Sequence, residues 1–540
     1  MKKLLLFLLT AYTTTTSYSQ EDAWIFLKDK PNAATFIANP LTMLSQRSLD
    51  RRARQNINID NKDVPIDAGY YVQIKNKEGI TVKAKSKWLN AIHVQGNEAV
   101  IRALETDFNF IDKIEFANKN LSKGRNIIAK SNNTNRSNKF AEITANFDYG
   151  NAANQIQMLK GDFLHREGFT GTGMQIAIID AGFPNVNTLA GFKRLRDNNQ
   201  ILGGYDFVNR NVNFYTGHSH GTHVLSDIGG YIEGSFVGTA PDASFYLFIS
   251  EDAANEVPLE ESLWVEAAER ADSLGVDVIN TSLGYTTFDN AKYNYTYADM
   301  DGKTAFITRG AEIGVSRGMI LVNAAGNSGN DSWKYIGVPA DAPSVFTIGA
   351  VNSSKGIASF SSYGPTSDGR VKPDVLAQGQ SAYVIDYRTG TPRTTNGTSF
   401  SSPIMAGVVA CFWQAFPNKT HAEIVDIIKK SADRYNAPDD RYGYGIPNFE
   451  LAKQTLSINP YTLQDLGITI YPNPVDEYLN FKIDKGSLED YKVKVFSVLG
   501  KQLFFENKRN SMDISSLKSG VYILELSKGA LRKTVKLIKK

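Results

Sequence analysis

Short apolar runs separated by glycine-punctuated turns recur through the middle of the chain. Met174 to Ile179, Ser244 to Ile249, Val276 to Thr281, Ile320 to Ala325 and Val345 to Val351 are apolar enough to be strands buried on both faces. Leu259 to Leu274 and Lys303 to Gly318 lie between them with the length and spacing of crossover helices. This alternation predicts an α/β fold, an open, doubly wound, mostly parallel sheet over residues 144–456. Such a sheet carries its chemistry at the carboxyl ends of its strands.

The flanks follow other periods. Trp24 to Leu27 and Tyr70 to Ile74 predict strands, Leu41 to Gln55 a basic helix bearing Arg47, Arg51, Arg52 and Arg54, and Val100 to Leu104 a second helix. Together they predict a small α+β domain over residues 20–143, ending in a polar, cleavable linker from Asn118 to Lys139. After the central region, Tyr491 to Val498, Gly500 to Phe505, Gly520 to Leu526 and Leu531 to Ile538 predict an all-β sandwich over residues 463–540. At the start, Lys2 and Lys3, the apolar run Leu4 to Leu9 and the small-x-small triplet Ser17-Tyr18-Ser19 predict a signal peptide over residues 1–19. No later stretch reaches the roughly 18 apolar residues of a spanning helix, so the expected product is soluble and outside the cytoplasm.

Composition adds three points. With 540 residues, 42% hydrophobic and 21% charged, the chain has material for several cores, which excludes a mainly disordered protein. The net charge of +3 hides an acidic middle, with 23 Lys and Arg against 33 Asp and Glu in residues 144–456, between two basic flanks. A basic leading domain beside an acidic body suggests surfaces that dock, and no run reads as a nucleic-acid arm. Cys411 is the only cysteine, so no intrachain disulfide forms, and its apolar neighbours make it a core residue.

Candidate chemistry sits at five places. Asn396-Gly397-Thr398-Ser399-Phe400-Ser401-Ser402-Pro403 runs into the apolar segment Ile404 to Phe416, which would set Ser399 at a helix N-terminus with Pro403 in the first turn. Alone, the stretch reads first as an ordinary Ser/Thr-rich cap before a buried helix. Asp180 follows a buried run and should emerge at a strand end. His218, His220 and His223 gather half of the six histidines; a zinc site is one reading, a general base before Gly221 the other, and the zinc pattern lacks its glutamate. Asn327 ends another strand with an amide that could face an oxyanion. Ser282-Leu283-Gly284 follows a further strand and could pair with an extended peptide.

These residues resemble the subtilisin-like serine peptidases, the subtilases. Ile178-Ile179-Asp180-Ala181-Gly182 is similar to the family's Asp motif, His220-Gly221-Thr222-His223-Val224 to its His motif, Ala324-Ala325-Gly326-Asn327 to its oxyanion motif and Gly397 to Pro403 to its Ser motif. The order Asp, His, Ser is that of subtilisin. The resemblance implies a serine endopeptidase with Ser399 as nucleophile, His220 as general base, Asp180 as its orienting carboxylate and Asn327 as oxyanion donor. It further implies that Ser282, Leu283 and Gly284 bind substrate as an edge strand and that His223 is structural. Tyr285 stands where many relatives carry glycine, so the neighbouring pocket is expected to be reshaped. No cofactor is implied for the chemistry, and a structural calcium stays unassigned. Residues 20–143 resemble a subtilase propeptide, an inhibitor and folding assistant. The stretch Ile468 to Pro474 through Gly520-Val521-Tyr522 and the basic end resembles the sorting domain of type IX secretion. Expected partners are therefore protein or peptide substrates, the propeptide and the type IX machinery, for a monomer that is secreted or held at the cell surface. The competing readings are a catalytically inactive, surface-binding protein of the same fold and a β-sandwich carbohydrate- or surface-binding module at the C-terminus.

Overall fold

The computed structural model describes residues 20–121, 146–457, 468–483, 491–498, 500–505, 510–528 and 531–540. The expected signal peptide and the linker beyond Leu121 lie outside the described residues. The chain forms two compact units, Met1–Glu450 and Leu451–Lys540.

The first unit opens with β1 (Gln20–Leu27), α1 (Ala33–Ala38), α2 (Gln46–Arg54), α3 (Ala68–Lys75), β2 (Ile80–Ser86), β3 (Ala91–Asn97), α4 (Glu98–Asp107) and β4 (Ile111–Phe116). The strands form an antiparallel sheet in the order β2-β3-β1-β4. β1 is apolar at successive positions because both its faces are covered. Ala23, Ile25 and Leu27 pack with Ile74, Ile92, Ile101 and Leu104, while Trp24 and Phe26 face the larger domain, where Trp24 stacks on Phe306 at 4.8 Å. Tyr70 to Ile74, expected as a strand, lies in α3. The Asp67 carboxylate accepts from the N–H groups of Gly69 and Tyr70 at 2.9 and 3.0 Å, an N-cap that outweighs the β preference of the run. The basic helix is also shorter than expected, starting at Gln46 after a Ser45 cap.

The body follows as α5 (Ala153–Gln157), α6 (Gly161–Arg166), β5 (Gln175–Asp180), α7 (Lys193–Asp197), β6 (Ile201–Asp206), α8 (His220–Gly229), β7 (Tyr231–Ile232), β8 (Phe236–Val237), β9 (Ser244–Ile249), α9 (Leu259–Leu274), β10 (Val278–Thr281), α10 (Phe306–Ser316), β11 (Ile320–Ala324), β12 (Phe346–Val351), β13 (Val375–Gln378), β14 (Ala382–Ile385), β15 (Pro392–Thr395), α11 (Thr398–Ala415), α12 (His421–Lys430) and α13 (Phe449–Ser457). Seven strands pair in parallel in the order β13-β12-β11-β10-β5-β9-β6. Successive residues of β10 show how both faces are covered. Asn280 accepts from Ser402 of α11 at 2.8 Å, and Thr281 accepts from Trp264 of α9 at 3.1 Å. The five expected strands and both expected helices are present, so the fold is the expected open, parallel α/β sheet. α11 is buried from Thr398 to Trp413, which explains its apolar sequence on every side.

The second unit contains β16 (Ile468–Tyr471), β17 (Tyr478–Ile483), β18 (Lys492–Ser497), β19 (Gln502–Phe505), β20 (Ser511–Asp513), β21 (Gly520–Lys528) and β22 (Leu531–Lys539). Two antiparallel sheets, β16-β17-β20 and β19-β18-β21-β22, share a core that includes Ile468, Leu479, Val493, Val495, Leu524 and Leu537.

The leading domain docks on α9 and α10 through buried charge as well as apolar contact. Arg51 donates to Asp272 at 2.5 Å, and Arg52 bridges Asp272 at 2.6 Å and Asp63 at 2.8 Å, all four side chains being buried. Arg47 pairs with Asp277. Beside them the Gln55 side-chain oxygen lies 2.7 Å from Nδ1 of His421. Deeper in the body, Nδ1 of His165 accepts from the Tyr149 hydroxyl at 2.8 Å and its Nε2 donates to the Thr239 carbonyl at 3.0 Å. Burial lowers both His165 and His421 to about 4, aided at His421 by the Arg51 charge.

Two outcomes follow from this packing. Replacing Asp272 by Ala strands the buried Arg51 guanidinium and leaves Arg52 only Asp63, and should cost the full-length chain roughly 3–5 kcal/mol, read as a lower melting temperature. The histidines titrate lower in the folded chain than in the unfolded one, so unfolding takes up protons between about 6.5 and about 4. The histidines' share of the stability should be whole above about pH 6.5 and be lost as the pH drops towards about 4, so a His421→Gln variant should lose less melting temperature than the parent chain across that window; an identical pH dependence would contradict the assignment.

Candidate active site

The site is assembled where β5, β10 and β11 end and α8 and α11 begin. Asp180, the last residue of β5, is buried, and the Ala181 N–H donates to its Oδ1 at 2.7 Å. His220 is the first residue of α8, and its Nδ1 lies 2.9 and 3.0 Å from the two carboxylate oxygens of Asp180. The pair is brought together by close backbone contact. A Cβ on Gly221 would lie 2.5 Å from the Gly182 carbonyl and 3.0 Å from the Cβ of Asp180, so glycine lets the helix start against the strand end. The His220 side chain keeps 27% of its surface open. Burial works against its charged form, but the Asp180 charge and hydrogen bond, with a smaller push from Glu251, outweigh it and raise its pKa above the ordinary value.

Ser399 is the second residue of α11. The helix starts earlier than expected, at Thr398, which puts Pro403 inside it and beyond the first turn. Pro403 has no N–H to give the carbonyl of Ser399, four residues before it, and the hydroxyl of Ser282 fills the gap at 2.9 Å. In return the Ser399 hydroxyl donates to the Ser282 carbonyl at 3.2 Å. No hydrogen bond joins Ser399 to His220 in this arrangement, although the next residue, Phe400, sets its ring 5.8 Å from the imidazole.

Nor is the helix capped by its own serines and threonines. The N-cap is Gly397, and Asn327 reaches over from the loop after β11, its Oδ1 accepting from the N–H and the hydroxyl of Thr398 at 2.8 and 3.0 Å. This fixes the amide so that its NH₂ is the end left for another acceptor. Ser282, Leu283 and Gly284 continue from β10; Ser282 is buried, and Gly284 is exposed. Tyr285 pairs with Val338 through two backbone bonds of 2.8 and 3.1 Å.

The structure thus joins Asp180 to His220 and Ser399 to Ser282, and seats Asn327 against the same helix start. The three histidines have different surroundings: Nδ1 of His218 accepts from the His220 N–H at 3.3 Å. His218 is exposed, and buried His223 lies 3.4 Å from Arg393 and edge-on to Tyr387. Burial, then the Arg393 and His220 charges, lowers His223 to about 4. Among the described residues no group of three or more His, Cys, Asp or Glu converges as a metal cluster. Sequence reasoning gave no role of their own to Thr398, Asn280 and Ser402, which hold the helix start against β10 and Asn327. The polar Asn280 inside the apolar run was the one available signal.

Three family matches tile the chain. Residues 171–445 match the subtilase family of peptidase S8, residues 22–137 the peptidase S8 propeptide domain of Bacteroidota, and residues 469–540 the secretion system C-terminal sorting domain. Subtilisin NAT of Bacillus subtilis subsp. natto is 34% identical over 306 residues, covering 55% of this chain and 70% of its own. Subtilisin of Bacillus pumilus is 33% identical over 306 residues, covering 55% of this chain and 98% of its own. The solved structure of the MycP3 protease from the type VII (ESX-3) secretion system aligns with 58% of this chain and 90% of its own at 20% identity and a TM-score of 0.46. The family's chemistry needs no cofactor, and the sorting domain marks the product for type IX secretion, to the cell surface or beyond. The chain belongs to the subtilase family and is a serine-type endopeptidase with its own propeptide.

Proposed function

We propose that Asp180, His220 and Ser399 form the catalytic triad of a zymogen, with Asn327 as oxyanion donor and Ser282, Leu283 and Gly284 as the strand that aligns the substrate. The observation that carries this reading is the Asp180 to His220 pair, at 2.9 Å, at the strand end beside the helix that starts with Ser399. Ser399 turns its hydroxyl from the Ser282 carbonyl to Nε2 of His220 and attacks the peptide carbonyl carbon. His220 takes the proton, and Asp180 holds Nδ1–H and stabilises the imidazolium. The negative oxygen of the tetrahedral intermediate accepts from Asn327 Nδ2 and from the N–H of Ser399, which the first turn of the helix leaves without an acceptor. Collapse expels the amine with the proton from His220. Water, deprotonated by His220, then releases the acyl group from Ser399.

In the same reading, residues 1–19 are the signal peptide, 20–143 the propeptide, 144–456 the peptidase and 463–540 the sorting domain. Substrates are proteins or peptides, and the enzyme acts as a monomer.

The expected outcomes are specific. Ser399→Ala should abolish casein hydrolysis and labelling by a fluorophosphonate while the chain still folds; unchanged hydrolysis would favour a different nucleophile. An inactive wild-type chain that takes no label would instead favour a surface-binding protein. Asn327→Ala should lower turnover by about 10² to 10³, the magnitude measured for the corresponding loss in subtilisin itself. Removing residues 463–540 should keep the enzyme inside the outer membrane, read by fractionation of cells and medium.

A further inference from the structure

Glu251 stands where three parts of the site meet. The Ser250 N–H donates to the Asp180 carbonyl at 3.1 Å, so the residue after β9 is tied to the end of β5. Glu251 comes next. Its Oε1 accepts from the Ser250 hydroxyl at 2.8 Å and from the Tyr285 hydroxyl at 2.6 Å. Tyr285 is buried and belongs to the wall that begins at Ser282, the residue that holds Ser399. Both donors use one carboxylate oxygen, and the other accepts no hydrogen bond from the described residues.

We infer that Glu251, held by Tyr285, is a positioning residue for the reaction, placing a second negative charge within reach of His220. This rests on the triad reading. As Ser399 gives up its proton, His220 becomes an imidazolium, and a carboxylate nearby stabilises that cation together with Asp180. Tyr285 from the wall and Ser250 before it touch Glu251, and the charges coupled to it are those of Glu256 from its own loop, Glu260 from α9, Asp180 from β5 and His220 from α8. Burial pushes Glu251 up, the Tyr285 and Ser250 donors oppose it, and Glu256 and Asp180 add to it, leaving it at about 7. Burial and the neighbouring acids raise Glu260 also, against the Val257 and Asp252 N–H groups that donate to it. Burial thus moves the ionisation of Glu251 up, and Asp180 moves that of His220 up as well. Activity should rise with pH over two linked ionisations, more steeply than one group allows.

The test is the profile of kcat/KM against pH for enzyme matured from the full chain. Glu251→Gln keeps the shape and removes the charge. Its plateau should fall on the order of tenfold, mainly in kcat, and its acid limb should become a single ionisation centred about half a pH unit lower. Glu251→Asp should restore the steep limb. Tyr285→Phe removes a donor that favours the carboxylate, so the limb should move to higher pH. A Glu251→Gln profile with the wild-type slope and midpoint overturns the inference, whatever its plateau. If that variant does not mature, a Tyr285→Phe limb that stays in place overturns it equally. The triad reading fails separately, through an active Ser399→Ala enzyme.

Discussion

The site depends on a hydrogen bond that α11 cannot make for itself. A proline at position 403 denies the Ser399 carbonyl its helical donor, and a buried carbonyl without a partner costs about 1–3 kcal/mol. Ser282 supplies the donor from another strand. The exchange ties the nucleophile's backbone to the wall that would align a peptide, so one residue's position fixes the other's. Asn327 does the same from a third strand by capping Thr398, and its amide is aimed as a by-product of closing the helix. The start of α11 is thus satisfied from outside its own sequence.

That dependence needs rigid neighbours, which the sheet provides. β10 and β11 are buried along their length and β5 from Ile176 onward, and β10 is bonded to α11 through Asn280 and to α9 through Thr281. The leading domain adds a further layer. Its β1 is sandwiched between its own helices and α9 with α10, so the apolar surface closed by docking is part of the core of the first unit.

Much of this was legible in the sequence where one physical cause acts alone. Apolar runs marked the five inner strands, and Leu259 to Leu274 matched α9 to the residue because nothing competes with its periodicity. The edge strands were not legible. β6 hides behind Gly203 and Gly204, and β13 is too short to stand out. Tyr70 to Ile74 misled because its residue types favour a strand, while the decision lay with Asp67, outside the run. Pro403 misled likewise. Its rule places it in a first turn, and only a partner from β10 makes the sixth position tolerable. Glu251 gave no signal at all, since its role comes from Tyr285, which is distant in sequence. Residue types announce chemistry, but cross-strand partners that set its geometry are invisible until the chain is folded.

The charge division along the chain has a structural cause that links docking to folding. Asp272 lies in the last turn of α9, where no basic residue offsets it and the helix dipole disfavours an acid. Asp277 follows just beyond the helix, before β10. On its own the body would have to keep these carboxylates hydrated or repelled at the end of a central helix. Arg47, Arg51 and Arg52 of the leading domain meet both, and Arg51 and Arg52 do so as buried side chains. Because a buried pair of this kind is costly to break from either side, the contact that keeps the leading domain in place also completes α9. The same helix packs against β5, the strand that ends in Asp180, so the stability of the site and the presence of the leading domain are joined through one helix.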